Sequence, residues 1–185
     1  MPILVWILII LVALLVLIYI GIYNGLVTLR LRVRNAWAQI DVQLKRRYDL
    51  IPNLVETVKG YAAHEREIFE KIAEARSLAI NAKGAVESAK ANNALSDTLK
   101  TLFAVVENYP DLKANQNFLA LQEELSSTEN KIAFARQFYN DMVMEYNTRI
   151  QVFPNSIIAG MGHFKEEQSF EAPAAEKEAP KVSFK

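Results

Sequence analysis

The sequence predicts an all-α protein with a single N-terminal transmembrane helix followed by an elongated antiparallel bundle of three to four long helices. Residues Ile3–Tyr23 form an uncharged, apolar run, and most of the remaining chain carries apolar residues at steps of three and four. Only 6 Gly and 6 Pro interrupt 185 residues. One-sided apolar stripes with few turn-forming residues are buried most simply by packing long helices together.

Four parts follow from this pattern along the chain. We expect a transmembrane anchor over residues 1–25, a helical bundle domain over 26–153, a capping or docking segment over 154–170, and a disordered tail over 171–185. The start of the tail, Glu171–Lys181, contains Pro, Ala, Glu and Lys and no large apolar residue. Such a composition does not bury enough apolar surface to fold.

The run Ile3–Tyr23 is long enough to cross a bilayer, which takes about 20 apolar residues. Trp6, Tyr19 and Tyr23 lie near its two ends, as aromatic residues of a membrane interface do. A cleaved secretory signal is the alternative, but it would have a basic start, a shorter apolar core and a small-residue cleavage site. We therefore expect the segment to be retained as an anchor.

Basic residues cluster after the span and predict its direction. Between positions 30 and 47 the basic residues are Arg30, Arg32, Arg34, Lys45, Arg46 and Arg47. The positive-inside rule places the N-terminus outside and the helical domain in the cytoplasm, in the cell (inner) membrane. Arg30, Arg32 and Arg34 are close enough to the span to reach lipid headgroups by snorkelling. The group at 45–47 is expected to be a solvated patch or a site for an acidic partner.

A long helical stripe follows the span. Its members are Val33, Trp37, Ile40, Leu44, Tyr48, Ile51, Val55, Val58 and Ala62, then Phe69, Ile72 and Ala79. Because no proline lies between Gly25 and Ile51, the membrane helix is expected to continue into the bundle. Pro52 predicts either a helix kink or a new helix that has Pro52 in its first turn. The stripe fades near Asn81–Gly84, where a helix stop is expected.

Two further helical segments are predicted towards the C-terminus. Ala85–Asn93 is either weakly helical or a loop, and a helix marked by Leu95, Leu99, Leu102 and Val106 follows it. The last and most regular stripe consists of Phe118, Leu121, Leu125, Thr128, Ile132, Ala135, Tyr139, Met142 and Tyr146. Ile150 and Phe153 are expected to extend that face until Pro154 stops the helix.

Composition and motifs argue against several classes of function. The absence of cysteine excludes disulfides, thiolate metal sites and a cysteine nucleophile, and a net charge of zero gives no global field for nucleic acid. No P-loop, dinucleotide fingerprint or nucleophile elbow occurs. His64 lacks a second histidine one turn away, so a solvated helix face is favoured over a metal site. No cofactor, metal or catalytic residue is expected.

The last stripe contains a repeated Tyr-Asn pair, at Tyr139-Asn140 and Tyr146-Asn147, preceded by Arg136. The seven-residue repeat places the tyrosines along one edge of a helix, with the asparagines beside them. Tyrosines with bonded hydroxyls in the helix seam are the simpler interpretation. An exposed strip that binds a partner helix is the alternative.

A second candidate interaction site follows Pro154. The stretch Ile157–Phe164 reads IIAGMGHF, with Ile157, Ile158, Met161 and Phe164 as its docking candidates. It could cap the bundle, touch the membrane or dock on a partner, and the sequence does not choose among these.

Several long strings of the chain resemble the LemA family of bacterial membrane proteins. The matching stretches are Tyr23–Val27, Ala36–Glu65 (AWAQIDVQLKRRYDLIPNLVETVKGYAAHE), Glu107–Phe118 and Thr128–Asn147. The resemblance extends from the span to about Phe170 and leaves the tail outside. It implies an N-terminal anchor, long antiparallel helices and no established catalytic residue. It also implies a link to membrane organisation and envelope maintenance.

The function expected from the sequence is that of a non-enzymatic helical scaffold in the bacterial cytoplasmic membrane. Its expected partners are membrane lipid, further copies of itself and a membrane protein, and no nucleic acid. A regulatory adaptor of a membrane protease or transport machine is the alternative. A hydrolase with a composite site of His64 and carboxylates is the least favoured hypothesis.

Overall fold

The computed structural model describes residues 2–170, and its regular secondary structure is all helix, with no strand in that range. Its helices are α1 (Pro2–Lys59), α2 (Arg66–Asn81), α3 (Gly84–Val106), α4 (Pro110–Lys113), α5 (Gln116–Gln151) and α6 (Asn155–Met161). The predicted all-α class with long helices is confirmed, because α1, α2, α3 and α5 have 58, 16, 23 and 36 residues. The predicted disordered tail, 171–185, lies outside the described residues.

The chain forms two compact units. The first comprises the chain up to Ala38 together with Gln137–Gln168. The second runs from Gln39 to Arg136 and, of the described residues after it, includes Ser169 and Phe170. Helices α1 and α5 each contribute residues to both units.

The N-terminal part of α1 is apolar and exposed. Its most apolar 18-residue window has a mean hydropathy of 3.4, and none of that window is buried. Within residues 2–170, α1 is the one helix that is long and apolar enough to span a membrane. The first buried side chain after it is Leu26, at 1% exposure. An apolar surface of this length left unpacked by protein is what a lipid environment stabilises.

The structure decides one of the two alternatives for Pro52. Helix α1 continues through Pro52 to Lys59, so the prediction of a new helix starting at Pro52 is wrong. The kink stays a prediction. Downstream, the expected uninterrupted stripe is also corrected, since α1 ends at Lys59 and α2 begins at Arg66.

Specific side-chain bonds hold the reversal between α1 and α2. Ala62 keeps its predicted place in the core, at 1% exposure, because its amide donates to the Val58 carbonyl at 2.9 Å. The Tyr109 hydroxyl donates to Glu65 at 3.0 Å, and the Asn115 side chain donates to the Tyr61 hydroxyl at 2.9 Å. The two residues of each bond lie 44 and 54 positions apart in the sequence. The spacing of apolar residues therefore does not predict these bonds.

Residues 85–93 are fully helical, so the loop alternative is wrong. Helix α3 begins at Gly84, whose φ of 76° is the left-handed conformation that glycine adopts without strain. Its first turns bury small or polar side chains, namely Ala85, Ser88, Ala89 and Asn92. Small residues lack the apolar bulk that marks a stripe, although they allow close helix packing.

Most of the predicted stripe positions are buried. At two steps the neighbouring residue is buried instead: Leu54 rather than Val55, and Val143 rather than Met142. The core of the second unit consists of Ile51, Leu54, Val58, Ala62, Ile68, Phe69, Ile72, Ala79, Leu95, Leu99, Leu102, Val106, Leu112, Phe118 and Leu125. In the first unit the buried residues of α1 and α5 are Leu26, Leu29, Val33, Ala36, Tyr139, Val143, Tyr146 and Ile150. Phe153 does not extend this face as predicted, because it lies beyond the end of α5 and is 80% exposed.

Candidate functional site

The most deeply buried ionisable side chain in the second unit is Arg47, at 0% exposure. This corrects the expectation of a solvated basic patch at 45–47. Arg46 forms an ion pair with Glu124 in which both side chains stay about half exposed, and Lys45 is exposed. The three neighbouring basic residues therefore have three different environments.

Arg47 of α1 joins α3 and α5 through its two terminal nitrogens. Nη1 donates to Ser96 Oγ at 2.9 Å and to Glu129 Oε2 at 2.8 Å. Nη2 donates to the side-chain oxygen of Asn92 at 2.7 Å and to the Asn92 carbonyl at 3.2 Å. Burying a guanidinium is costly unless such bonds replace its hydration. The planar donor group thereby fixes the register of three helices.

Asn92 is itself held in place on the other side of this cluster. Its Nδ2 donates to the Ser88 carbonyl at 2.8 Å, and the Tyr48 hydroxyl lies 2.8 Å from its Oδ1. Burial disfavours the phenolate and raises the pKa of Tyr48, although the bond to Asn92 opposes this. The Arg47 cluster (Arg47, Tyr48, Asn92, Ser96 and Glu129) is thus bonded internally.

The sequence did contain a signal for this cluster. Arg47 is three residues after Leu44 and four before Ile51, both of which are buried stripe positions. A charged residue in phase with a buried stripe predicts either a paired interior charge or a break in the stripe. The identity of its partners, 45 to 82 residues away, required the structure.

The Tyr-Asn strip lies in the first unit and is buried at its tyrosines. Tyr139 is 5% exposed and Tyr146 is 0% exposed. The Trp37 ring meets Tyr139 edge to face, with centroids 5.3 Å apart. The tyrosines therefore lie in the helix seam and not on an exposed strip. The expected hydroxyl bond is present for Tyr139 and, within residues 2–170, absent for Tyr146.

The strip binds the chain's own C-terminal segment. The Tyr139 hydroxyl donates to the Gln168 carbonyl at 2.8 Å. Asn147 makes a reciprocal pair with Glu167, donating from Nδ2 to the carbonyl at 2.9 Å and accepting from the amide at 3.0 Å. Gln151 donates to the Glu166 carboxylate at 2.9 Å. Backbone groups that follow α6 are thereby held along α5.

Burial and the nearby Glu167 carboxylate change the acidity of both tyrosines. Desolvation, followed by the charge of Glu167, raises the pKa of Tyr139 to about 12. The same two causes raise the pKa of Tyr146, partly opposed by the positive charges of Arg30 and Arg34. Within residues 2–170 the Tyr146 hydroxyl has no hydrogen-bond partner. Both phenols therefore stay protonated at neutral pH.

The other two residues predicted for the strip have separate environments. The Arg136 guanidinium belongs to the second unit, where it lies 4.5 Å from the centroid of the Phe170 ring. Its Nη1 is 3.5 Å from the Asn93 side-chain oxygen. Asn140 is half-buried on α5. The structure therefore groups Tyr139, Tyr146 and Asn147 in the first unit, and Arg136 is not part of that group.

An aromatic cluster marks the end of the predicted span. The Tyr19 and Tyr23 rings stack with centroids 6.1 Å apart, and Tyr23 meets the Phe164 ring edge to face at 5.6 Å. The Arg30 guanidinium lies 4.9 Å from the centroid of the same Phe164 ring.

Arg32 and Arg34 are exposed, as is Trp6 near the start of α1. Of the three arginines assigned to lipid headgroups, Arg30 therefore has a protein partner.

The four docking candidates divide into two pairs. Ile158 and Phe164 are buried, at 7% and 8% exposure, and cap the first unit. Ile157 and Met161 are exposed, at 57% and 65%. The expectation that all four form one docking surface is corrected, because the residues at one face of α6 are already used in packing.

His64 lies exposed in the connection between α1 and α2. In the part of the chain that the structure describes, no three His, Asp or Glu side chains are grouped so that they could hold a metal ion.

Comparison with known proteins identifies related sequences. Residues 36–184 match the sequence model of the LemA family. This range corrects the extent of the expected resemblance, because it starts after the span and includes most of the tail beyond Phe170.

Among similar proteins are LemA from Metamycoplasma hominis and two magnetosome proteins. The first is 27% identical over 146 residues, covering 77% of this chain and 65% of the relative. Magnetosome protein MamQ 2 of Paramagnetospirillum magneticum and magnetosome protein MamQ of Magnetospirillum gryphiswaldense are each 26% identical over 181 residues, covering 83% of this chain and 66% of the relative. The chain thus spans slightly less than two thirds of the length of these relatives.

Proposed function

The chain belongs to the LemA family, and we propose that it is a membrane-anchored helical interaction protein that acts without catalysis, by self-association or by docking a membrane protein. The observation that carries the proposal is the continuity of α1. The same helix supplies the exposed apolar N-terminal segment and the buried stripe that ends at Val58. Membrane attachment and bundle assembly therefore share one structural element.

The use of polar side chains favours an organising role over a catalytic one. The buried groups of the Arg47 cluster bond to each other across three helices, and Asn147 and Tyr139 bond to the chain's own backbone. Two members of the cluster, Ser96 and Glu129, also line an open cavity of about 370 Å³, and both accept hydrogen bonds from Arg47. A role in membrane organisation and envelope maintenance agrees with the family resemblance.

The membrane topology is part of this proposal. We propose a single pass through the bacterial cell membrane, with the N-terminus outside and the helical domain in the cytoplasm, because the basic residues follow the span. Since the chain has no cysteine, Leu78→Cys on α2, 61% exposed, would give one reporter thiol. An impermeant maleimide should label it only after the cells are opened. Labelling in intact cells would reverse the assigned orientation.

The interaction role is tested by the mass of the protein in lipid. Native mass spectrometry of the full chain in nanodiscs, supported by cross-linking in membranes, should find more than one copy or a co-purifying membrane protein. If the co-purifying protein is a membrane protease or a transport complex, the result would favour the alternative function, a regulatory adaptor. A strictly monomeric species with no other protein would contradict the proposal.

The alternative hypothesis of a hydrolase with a composite site of His64 and carboxylates is tested by a separate variant. His64 is exposed in a turn, so His64→Ala is expected to complement a deletion strain as well as the unmodified chain does. Loss of complementation, with the protein still folded and present in the membrane, would favour the composite hydrolase.

A further inference from the structure

Two contacts in the first unit place the end of α5 beside the end of the predicted span. The Trp37 ring of α1 packs on Tyr139 of α5, and Tyr146, one heptad later, lies near enough to Arg30 and Arg34 for their positive charges to lower its pKa. The two helix segments are therefore antiparallel. Gln151 lies 12 residues beyond Tyr139, or about 18 Å along the helix. The same 12 residues lead from Trp37 back to Gly25, so α5 ends at the level where the apolar run ends.

The turn after α5 and the short helix α6 present apolar side chains at this level. Phe153 is 80% exposed, and Ile157 and Met161 are 57% and 65% exposed. Ile157 and Met161 are four residues apart, so they lie on one face of α6. Val152, at 42%, adds to the same surface. We call Val152, Phe153, Ile157 and Met161 the membrane-proximal surface.

The rest of α6 is fixed against the unit. Ile158 and Ala159 are buried, and the Phe164 amide donates to the Ala159 carbonyl at 3.0 Å. The Phe164 ring then packs between Tyr23 and the Arg30 guanidinium. Because α6 is held next to Tyr23 in this way, its exposed face cannot be far from the headgroup region of a bilayer spanned by Ile3–Tyr23.

Charged side chains, including basic ones, flank this surface in the sequence. Arg149 and Lys165 are exposed and flank it in sequence, the Arg30 guanidinium packs on Phe164, and the neighbouring acids are Glu166 and Glu167. The neighbouring acid Glu166 accepts a hydrogen bond from Gln151. Apolar side chains bordered by Lys and Arg are typical of protein surfaces that enter the interfacial layer.

We propose that Phe153, Ile157 and Met161 insert into the interfacial layer of the same bilayer that α1 spans, giving the protein a second lipid contact. The exposed apolar surface lies at the same level along α1 as the end of the span. This position favours a contact with lipid over a contact with a soluble partner. The contact does not depend on self-association. It requires only the anchor and the observed packing of Phe164 on Tyr23.

Site-directed spin labelling of the full chain tests this contact, because the chain has no native cysteine. Ile157→Cys and Met161→Cys carry the label in vesicles of phosphatidylcholine and phosphatidylglycerol, with Leu78→Cys on α2 as the matched exposed control. Collision with oxygen, which concentrates in lipid, should rise several-fold over the control. Collision with a water-soluble nickel complex should fall several-fold. All three substituted side chains are exposed, so the fold should tolerate the label.

Equal nickel collision at Ile157, Met161 and Leu78 would overturn the lipid contact. Protection from nickel without increased oxygen collision, or dipolar broadening between labels, would also overturn it and assign the surface to a protein or a second copy. Circular dichroism of each labelled variant, matched to the unmodified chain, shows that the comparison concerns folded protein.

Discussion

Arg47 shows how one buried charged residue, in phase with a hydrophobic stripe, can organise several helices. Its guanidinium is fully buried, and its bonds reach Asn92 and Ser96 on α3 and Glu129 on α5. In the ion pair between Arg47 and Glu129, the Arg47 side chain is buried in the core, whereas the Glu129 side chain is 45% exposed and therefore hydrated. Much of the cost of removing Arg47 should therefore come from the buried Asn92 rather than from Glu129.

Arg47→Ala is expected to lower the free energy of unfolding by about 3 kcal/mol, because it leaves a cavity and a buried amide without its partner. Arg46→Ala is the matched control next to it, and removal of that exposed pair with Glu124 should cost at most about 1 kcal/mol. Denaturant unfolding in detergent, followed by circular dichroism, compares the two. Equal effects would contradict the structural role assigned to Arg47.

Tyr139 gives the stability a pH dependence in the alkaline range. A tyrosine of the unfolded chain titrates near 10, whereas the folded pKa of Tyr139 is about 12. Between these values the unfolded chain releases the proton and the folded chain keeps it. This contribution is therefore fully present below pH 10 and is lost as the pH rises towards 12, amounting to on the order of 2 kcal/mol.

Tyr139→Phe tests this directly, because phenylalanine has no proton to release. The variant should lose the hydrogen bond to Gln168, at about 1 kcal/mol, and its stability should fall less steeply between pH 10 and 12. Unfolding measured across that range compares the slopes. Parallel curves for the variant and the unmodified chain would mean that Tyr139 titrates normally in the folded protein.

Helix α6 depends on a close approach between Gly162 and Phe164. A Cβ added at Gly162 would lie 2.6 Å from Phe164 Cε2, and that ring is itself packed on Tyr23 and Arg30. Within α6, a Cβ at Gly160 would meet no atom within 4 Å. The two glycines are two residues apart but have different steric environments.

Gly162→Ala should therefore destabilise the first unit by about 1 to 3 kcal/mol, since the Phe164 ring must leave its site. Gly160→Ala is the control and should be neutral or slightly stabilising in a helix. Thermal unfolding, together with the fluorescence of the two tryptophans of this unit, Trp6 and Trp37, distinguishes them. Similar melting temperatures for the two variants would show that Phe164 moves without cost.

The elements were predictable where apolar spacing determines them. The regular stripe from Phe118 to Tyr146 predicted α5, and the proline-free chain up to Ile51 predicted that the span continues as one helix. The first half of α3 was ambiguous because it packs through alanine, serine and asparagine. The turn at 60–65 was missed because Ala62 remains in phase with the stripe although the helix has ended.

The candidate sites were less predictable, because they depend on contacts between distant parts of the chain. The sequence singled out Tyr139 and Asn147 but not their partners, which are backbone groups of Glu167 and Gln168. A polar segment offers many such groups, and spacing does not select among them. A capping role was one of three alternatives for the segment Ile157–Phe164. For Phe164, the packing of its ring on Tyr23 supports the capping role.

At the scale of the whole molecule, the central claim is that the apolar N-terminal segment of α1 stays uncut and holds the protein in the membrane. The claim rests on the length, composition and exposure of that segment. The packing of Phe164 on Tyr23 adds a second argument, because cleavage near Asn24 would remove half of that contact.

The most direct test is the intact mass of the protein purified from membranes after an alkaline carbonate wash. We predict that the protein stays in the washed membranes and that its mass includes the apolar segment Ile3–Tyr23. A mature chain beginning near Asn24 and recovered in the soluble fraction would contradict this claim, together with the lipid contact proposed for α6.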